Sequence, residues 1–125
     1  MIWTVSQVAI GGAIGAALRF LMGLGIFRLT GPGFPMAILS VNVVGSFLMG
    51  LFVVYAAHRG ATHLSPFVMT GLLGGFTTFS AFSLETMTLL ERGETTQAAI
   101  YVIASVVFSV GALAAGLMVA RGLFA

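Results

Sequence analysis

The 125-residue chain has no cysteine, no lysine and no aspartate, and charged residues make up only 6% of it. Without cysteine there are no disulfides, thiolate metal sites or cysteine nucleophiles. A soluble domain carries roughly 25% charged residues, so this chain falls outside that class. Its five arginines lie far apart against three glutamates. A nucleic-acid footprint needs basic residues clustered on one face, so no nucleic acid is expected as a partner. No Ser–His–acid set and no phosphate-cradling loop occurs, so no enzymatic activity is expected. No positive residue precedes the first apolar run, so a cleaved leader is not expected.

What the chain has in abundance is apolar surface: 59% hydrophobic residues and a mean hydropathy of +1.15. A helix needs ~20 apolar residues to cross the hydrocarbon core. Four windows meet that length, at about 3–27, 34–57, 64–90 and 96–121. The breaks between them hold most of the charge and one of the three prolines. They are too short for a further domain. The expectation is a single all-α membrane domain over residues 1–125, four helices embedded in a lipid bilayer.

Four spans place Arg59 and Arg121 on one side of the membrane and Arg28 and Arg92 on the other. Orientation follows the excess of positive residues on the cytoplasmic side, and here there is no excess. Dual topology with antiparallel pairing is one reading of this balance. A single orientation set by features that arginine counting misses is the other. Four short helices enclose little volume, which independently favours an oligomer. Small residues recur at four-residue spacing, as in Gly11 with Gly15, Gly12 with Ala16 and Ala112 with Gly116. Such stripes let membrane helices approach closely, within one subunit or between two.

The third span carries the most specific segment, GLLGGFTTFSAFSLE from Gly71 to Glu85. Gly74 and Gly75 weaken the helix, and the hydroxyls of Thr77 and Thr78 can satisfy backbone groups left open by a break. Irregular backbone at membrane depth persists only where protein buries it or water reaches it. Phe76, Phe79 and Phe82 follow at three-residue spacing. An aromatic ring has a positive edge, so rings beside a break can stabilise a small anion without trapping it. The N-terminus of the resumed helix adds a positive dipole end, and freed carbonyls can hold a cation. The plainer reading of the rings is packing or lipid contact.

Other polar residues stand at membrane depth. Asn42, with Ser46 one turn on, lies in the second span, and an interhelical hydrogen bond is its plain role. Tyr101, Ser105 and Ser109 form one stripe of the fourth. Ser80 and Ser83 extend the polar character past the break. Glu85 and Arg19 are functional candidates because intramembrane charges are costly. Glu85 would snorkel or act buried; Arg19 would reach water at a vestibule or pair with an acid. His58 and His63 have no companions at metal-ligand spacing.

The chain resembles the Fluc-type (CrcB) fluoride channels along nearly its whole length. GGAIGAALRF, VNVVGSF and above all GLLGGFTTFSAFSLE carry the likeness. The resemblance implies an antiparallel dual-topology homodimer in the bacterial inner membrane, with the third helix broken mid-membrane. It implies two fluoride pathways, and a structural sodium ion held by backbone carbonyls of Gly74 and Thr77 from both subunits. It assigns Phe79 and Phe82 as the ring-edge fluoride contacts and Asn42 as the pore amide. Ser80, Ser83, Tyr101, Ser105 and Ser109 would be polar positions of the path, and Arg19 and Glu85 the characteristic charges of their helices. Ala81 stands where many relatives carry threonine, leaving one hydroxyl step absent or replaced by water. A small multidrug-type proton antiporter is the rival, but its membrane acid belongs in the first helix, where this chain has Arg19.

Overall fold

The structure, a computed structural model, describes residues 1–124, and the described residues contain helices and no strands. Four helices are long and apolar enough to cross a membrane: Ile2–Thr30, Met36–Arg59, Thr62–Glu91 and Thr95–Phe124. This bears out an all-helical, multi-pass membrane protein. The first and second are α1 and α2. The third is composite: a short 3₁₀ turn, a π-helix over Pro66–Leu73, the brief turn α3 (Gly74–Phe76) and then α4 (Phe79–Glu91). The fourth is α5 (Thr95–Phe124).

Local chemistry sets the ends. Pro35 precedes α2 as its N-cap. Proline disfavours helical backbone in the residue before it, so Phe34 stays in the loop and α2 starts at Met36, two residues after the apolar window begins. Gly60 and Gly93 follow α2 and α4 at φ 64° and 77°. That left-handed conformation closes helices and suits glycine.

The helices pack as two close pairs, α1 along the π-helix and α3, and α2 along α5. Both crossings are backbone against backbone. A methyl added at Gly11 would lie 2.5 Å from the Phe67 carbonyl oxygen, and one at Gly75 would lie 2.7 Å from that of Gly12. Gly50 and Gly116 meet in the same way, each facing carbonyl oxygen of the other helix. Lipid tails are as apolar as leucine, so close packing has to replace the hydrophobic effect as the driving force. The stripes of Gly11 with Gly15 and of Gly116 therefore serve contacts within this chain. Gly111, by contrast, meets nothing.

The glycines of the third span do not break it. Gly74 is helical, at φ −63° and ψ −38°, and Gly75 lies within α3. The interruption falls at Thr77 and Thr78, both extended. Small size, which allows close approach to α1, is what Gly75 contributes. The π-helix is a second departure from the plain helix expected there.

Gly116→Ala is expected to destabilise the protein by ~3 kcal/mol, the upper end for overpacking, because the new methyl meets backbone. Gly25→Ala, which meets nothing, should cost no stability and raise it slightly, since alanine is the better helix former. Thermal unfolding of the purified protein in detergent, followed by size-exclusion chromatography, separates the two.

Candidate functional site

A helix that stops leaves four N–H and four C=O groups without partners at its ends. In hydrocarbon each costs several kcal/mol, roughly the stake at Thr77–Thr78. Asn42, projecting from α2, supplies most of the answer. Its Nδ2 donates to the Thr78 carbonyl at 3.1 Å, and the Thr78 N–H donates to its Oδ1 at 2.8 Å. One amide thus brackets one residue of the break. Gly45, one turn along α2, makes room, since any side chain there would strike Thr77.

Side chains satisfy the rest. Thr78 caps α4, its Oγ1 accepting from the Ala81 N–H at 3.1 Å. The Thr77 hydroxyl and N–H both donate to the Leu73 carbonyl at 3.0 Å. Arg19 Nε donates to the Gly75 carbonyl at 3.0 Å. Arg19 thus caps the first half of the interrupted span. These substitutions have a consequence for two other carbonyls. In a continued helix, Gly74 would accept from the N–H of Thr78, and Thr77 from that of Ala81. Asn42 and the Thr78 hydroxyl have taken both donors. The oxygens of Gly74 and Thr77 thereby lose the donors a continued helix would give them.

Beside the break lies a groove of about 330 Å³ between α2, the break and α5. It brings together Asn42, Phe79, Phe82, Ser105 and Ser109. The rings of Phe79 and Phe82 stand 5.3 Å apart at 49°. Phe79 is 78% exposed, so a single chain leaves its outer side uncovered. Tyr101 is fully buried behind the groove, 5.3 Å from the Phe82 ring and 5.6 Å edge-on to Phe34.

The hydroxyls divide into two kinds. Ser83, Thr86 and Thr88 each donate back to the carbonyl four residues earlier on α4, and Ser80 shares a 3.3 Å bond with Thr78. Ser80 and Ser83 do not line the groove. The buried hydroxyls of Tyr101 and Ser105, one turn apart on α5, have no partner. Each such orphan costs about 1–3 kcal/mol, a cost that a visiting hydrogen-bond acceptor removes. Glu85 sits apart from all of these, half-buried in a second cleft of about 220 Å³ by the first loop, with Arg92.

Sequence reasoning passed over Ser46, Met49 and Phe34 as site residues. Ser46 and Met49 line the groove; Ser46 could have been found as the residue one turn after Asn42. Phe34 stands among glycines and prolines, where no periodicity marks it.

A family model described as CrcB-like protein, Camphor Resistance (CrcB), matches residues 6–117 of the chain. The chain is 69% identical over 119 residues to a protein of Roseobacter denitrificans named fluoride-specific ion channel FluC, covering 94% of each. Proteins of the same name from a Ruegeria species and from Paracoccus denitrificans are 63% and 58% identical, covering 98% of each chain in both cases.

Asn42→Ala is expected to unpair both polar groups of Thr78 and to destabilise by about 2–6 kcal/mol, the sum for two orphaned groups. Amide hydrogen exchange should accelerate first around residues 76–82, ahead of the α2–α5 pair.

Proposed function

The chain belongs to the CrcB-like family, and from that footing and the geometry of the break we propose that it is a fluoride channel, passive and selective. The observation that carries the reading is the groove itself. Paired rings lie beside a bracketed break, and the unpartnered Ser105 hydroxyl lies in the same wall. A desolvated fluoride needs hydrogen-bond donors and positive edges in place of its water. The hydroxyls of Ser105, Ser109 and Tyr101 supply donors, and the edges of Phe79 and Phe82 supply fixed dipoles too weak to trap the ion. Selectivity over chloride would come from a narrow, sparsely polar path in which fluoride's hydration is exchanged for fixed dipoles. Asn42 acts chiefly by holding the break, with one amide hydrogen left for the groove. Ser80 and Ser83 would join the path only from the far side of the rings.

The functional unit is an antiparallel homodimer of dual topology in the bacterial inner membrane, with two pathways. The uncovered side of Phe79 and the balanced arginines support it. So does the pair of freed carbonyls. Gly74 and Thr77 present two hard oxygens, too few for a cation's shell, and a two-fold partner doubles them. These four oxygens would hold a structural sodium ion, whose charge would offset that of nearby anions and pin the interface. Arg19 already places one positive group on the adjacent Gly75 carbonyl. The antiporter reading finds no support, since α1 has no carboxylate to exchange protons.

Fluoride that enters cells as the neutral acid ionises in a less acidic cytoplasm and leaves through such a path down its own gradient. In liposomes the purified protein should release fluoride rapidly while retaining chloride, read with ion-selective electrodes. Absent fluoride release, or chloride release at a matching rate, overturns the reading. Phe79→Ile and Phe82→Ile should each slow fluoride two- to tenfold, roughly the rate equivalent of the 0.5–1.5 kcal/mol carried by ring geometry.

A single cysteine at exposed Thr96 should be labelled in part from each membrane face. Labelling from one face only rejects dual topology.

A further inference from the structure

The aromatic contacts do not end at the two rings of the groove. Phe79 meets Phe82, Phe82 meets Tyr101, and Tyr101 meets Phe34 at an interplanar angle of 87°. Phe34 belongs to the first loop and lines the second cleft together with Thr30, Glu85 and Arg92. The column therefore runs from the groove, through the buried Tyr101, to a cleft at one end of the bundle. Among the described residues this cleft is the polar one of the two, its walls holding one charge of each sign.

A plain reading makes the column an apolar seal, part of the core formed by Leu39, Leu89 and Ala98 around Tyr101. The Tyr101 hydroxyl argues against that. A phenylalanine would seal as well, without a buried donor that nothing accepts.

We infer that the cleft at Thr30, Phe34, Glu85 and Arg92 is the mouth of the anion path, with Phe34 its outermost ring and Arg92 its recruiting cation. The inference rests on the channel reading above. An ion leaving the groove passes the Tyr101 hydroxyl and the Phe34 edge before meeting water beside Arg92. Glu85, facing the same cleft, offsets the attraction of Arg92, so the mouth recruits fluoride without retaining it. Arg92 thereby sets the rate of entry and exit rather than the selectivity, which belongs to the groove.

The cysteine-free chain permits a direct test. Thr30 lines the cleft, and its hydroxyl bonds only its own helix at Ile26, so Thr30→Cys should fold. A bulky sulfonate thiol reagent applied from both sides should abolish most fluoride release. A cationic reagent of equal size should slow it less, and either at Thr4→Cys should leave it unchanged. In parallel, Arg92→Gln should lower fluoride conductance several-fold at about 10 mM salt. It should match wild type near 1 M, where charges are screened within ~3 Å, and Arg92→Lys should restore the low-salt rate. Complete labelling of Thr30→Cys with undiminished release overturns the inference, as does an Arg92→Gln loss that salt does not remove. Failure of the unmodified protein to carry fluoride would instead count against the channel reading.

Discussion

The structure depends on one requirement: the backbone opened at Thr77 and Thr78, within an apolar span, has to find its hydrogen-bond partners in other side chains. The Asn42 amide meets that requirement for Thr78, taking up both its N–H and its carbonyl. Arg19, from α1, donates to the Gly75 carbonyl. Two helices distant in sequence thus hold the third at its weakest point. The groove, the ring pair and the free carbonyls follow from where those bonds pin the chain.

The same requirement sorts the polar residues by role. Hydroxyls on α4 turn back onto their own helix, as polar groups do when nothing else is offered. Those of Tyr101 and Ser105 on α5 do not. A buried donor without an acceptor is costly in a resting protein and useful to one that passes an anion. The contrast separates hydroxyls satisfied on their own helix from hydroxyls left open more sharply than their spacing could. Glycine has a comparable double reading. Gly11, Gly15, Gly50 and Gly116 are used up in crossings within the chain, whereas Gly111 faces open space.

Much of the fold was legible from the sequence because the bilayer allows few solutions. Apolar runs of spanning length become helices when every N–H and C=O must find a partner locally. An interruption of the third span was also legible, from glycine and threonine pairs in one short stretch. Its position was not. Glycine weakens a helix, but α1 packs so closely on Gly75 that the helix persists there. It fails two residues later, where Asn42 can replace the lost bonds. The π-helix over Pro66–Leu73 left no mark in the pattern, because its apolar residues suit either winding. Phe34 was hidden for a related reason: loop residues carry no period, and only folding places that ring against Tyr101.

Composition and hydropathy by themselves determined a four-helix membrane protein, and the motif of the third span pointed to its family. Tertiary structure decided which of the named residues meet. It joined Asn42 to Thr78, Arg19 to Gly75, and Phe82 to Tyr101, and it kept Ser80, Ser83 and Glu85 out of the groove. The physical reason is the reach of each kind of information. Periodicity within a helix says which side chains share a face, while the bonds that close a broken backbone come from other helices.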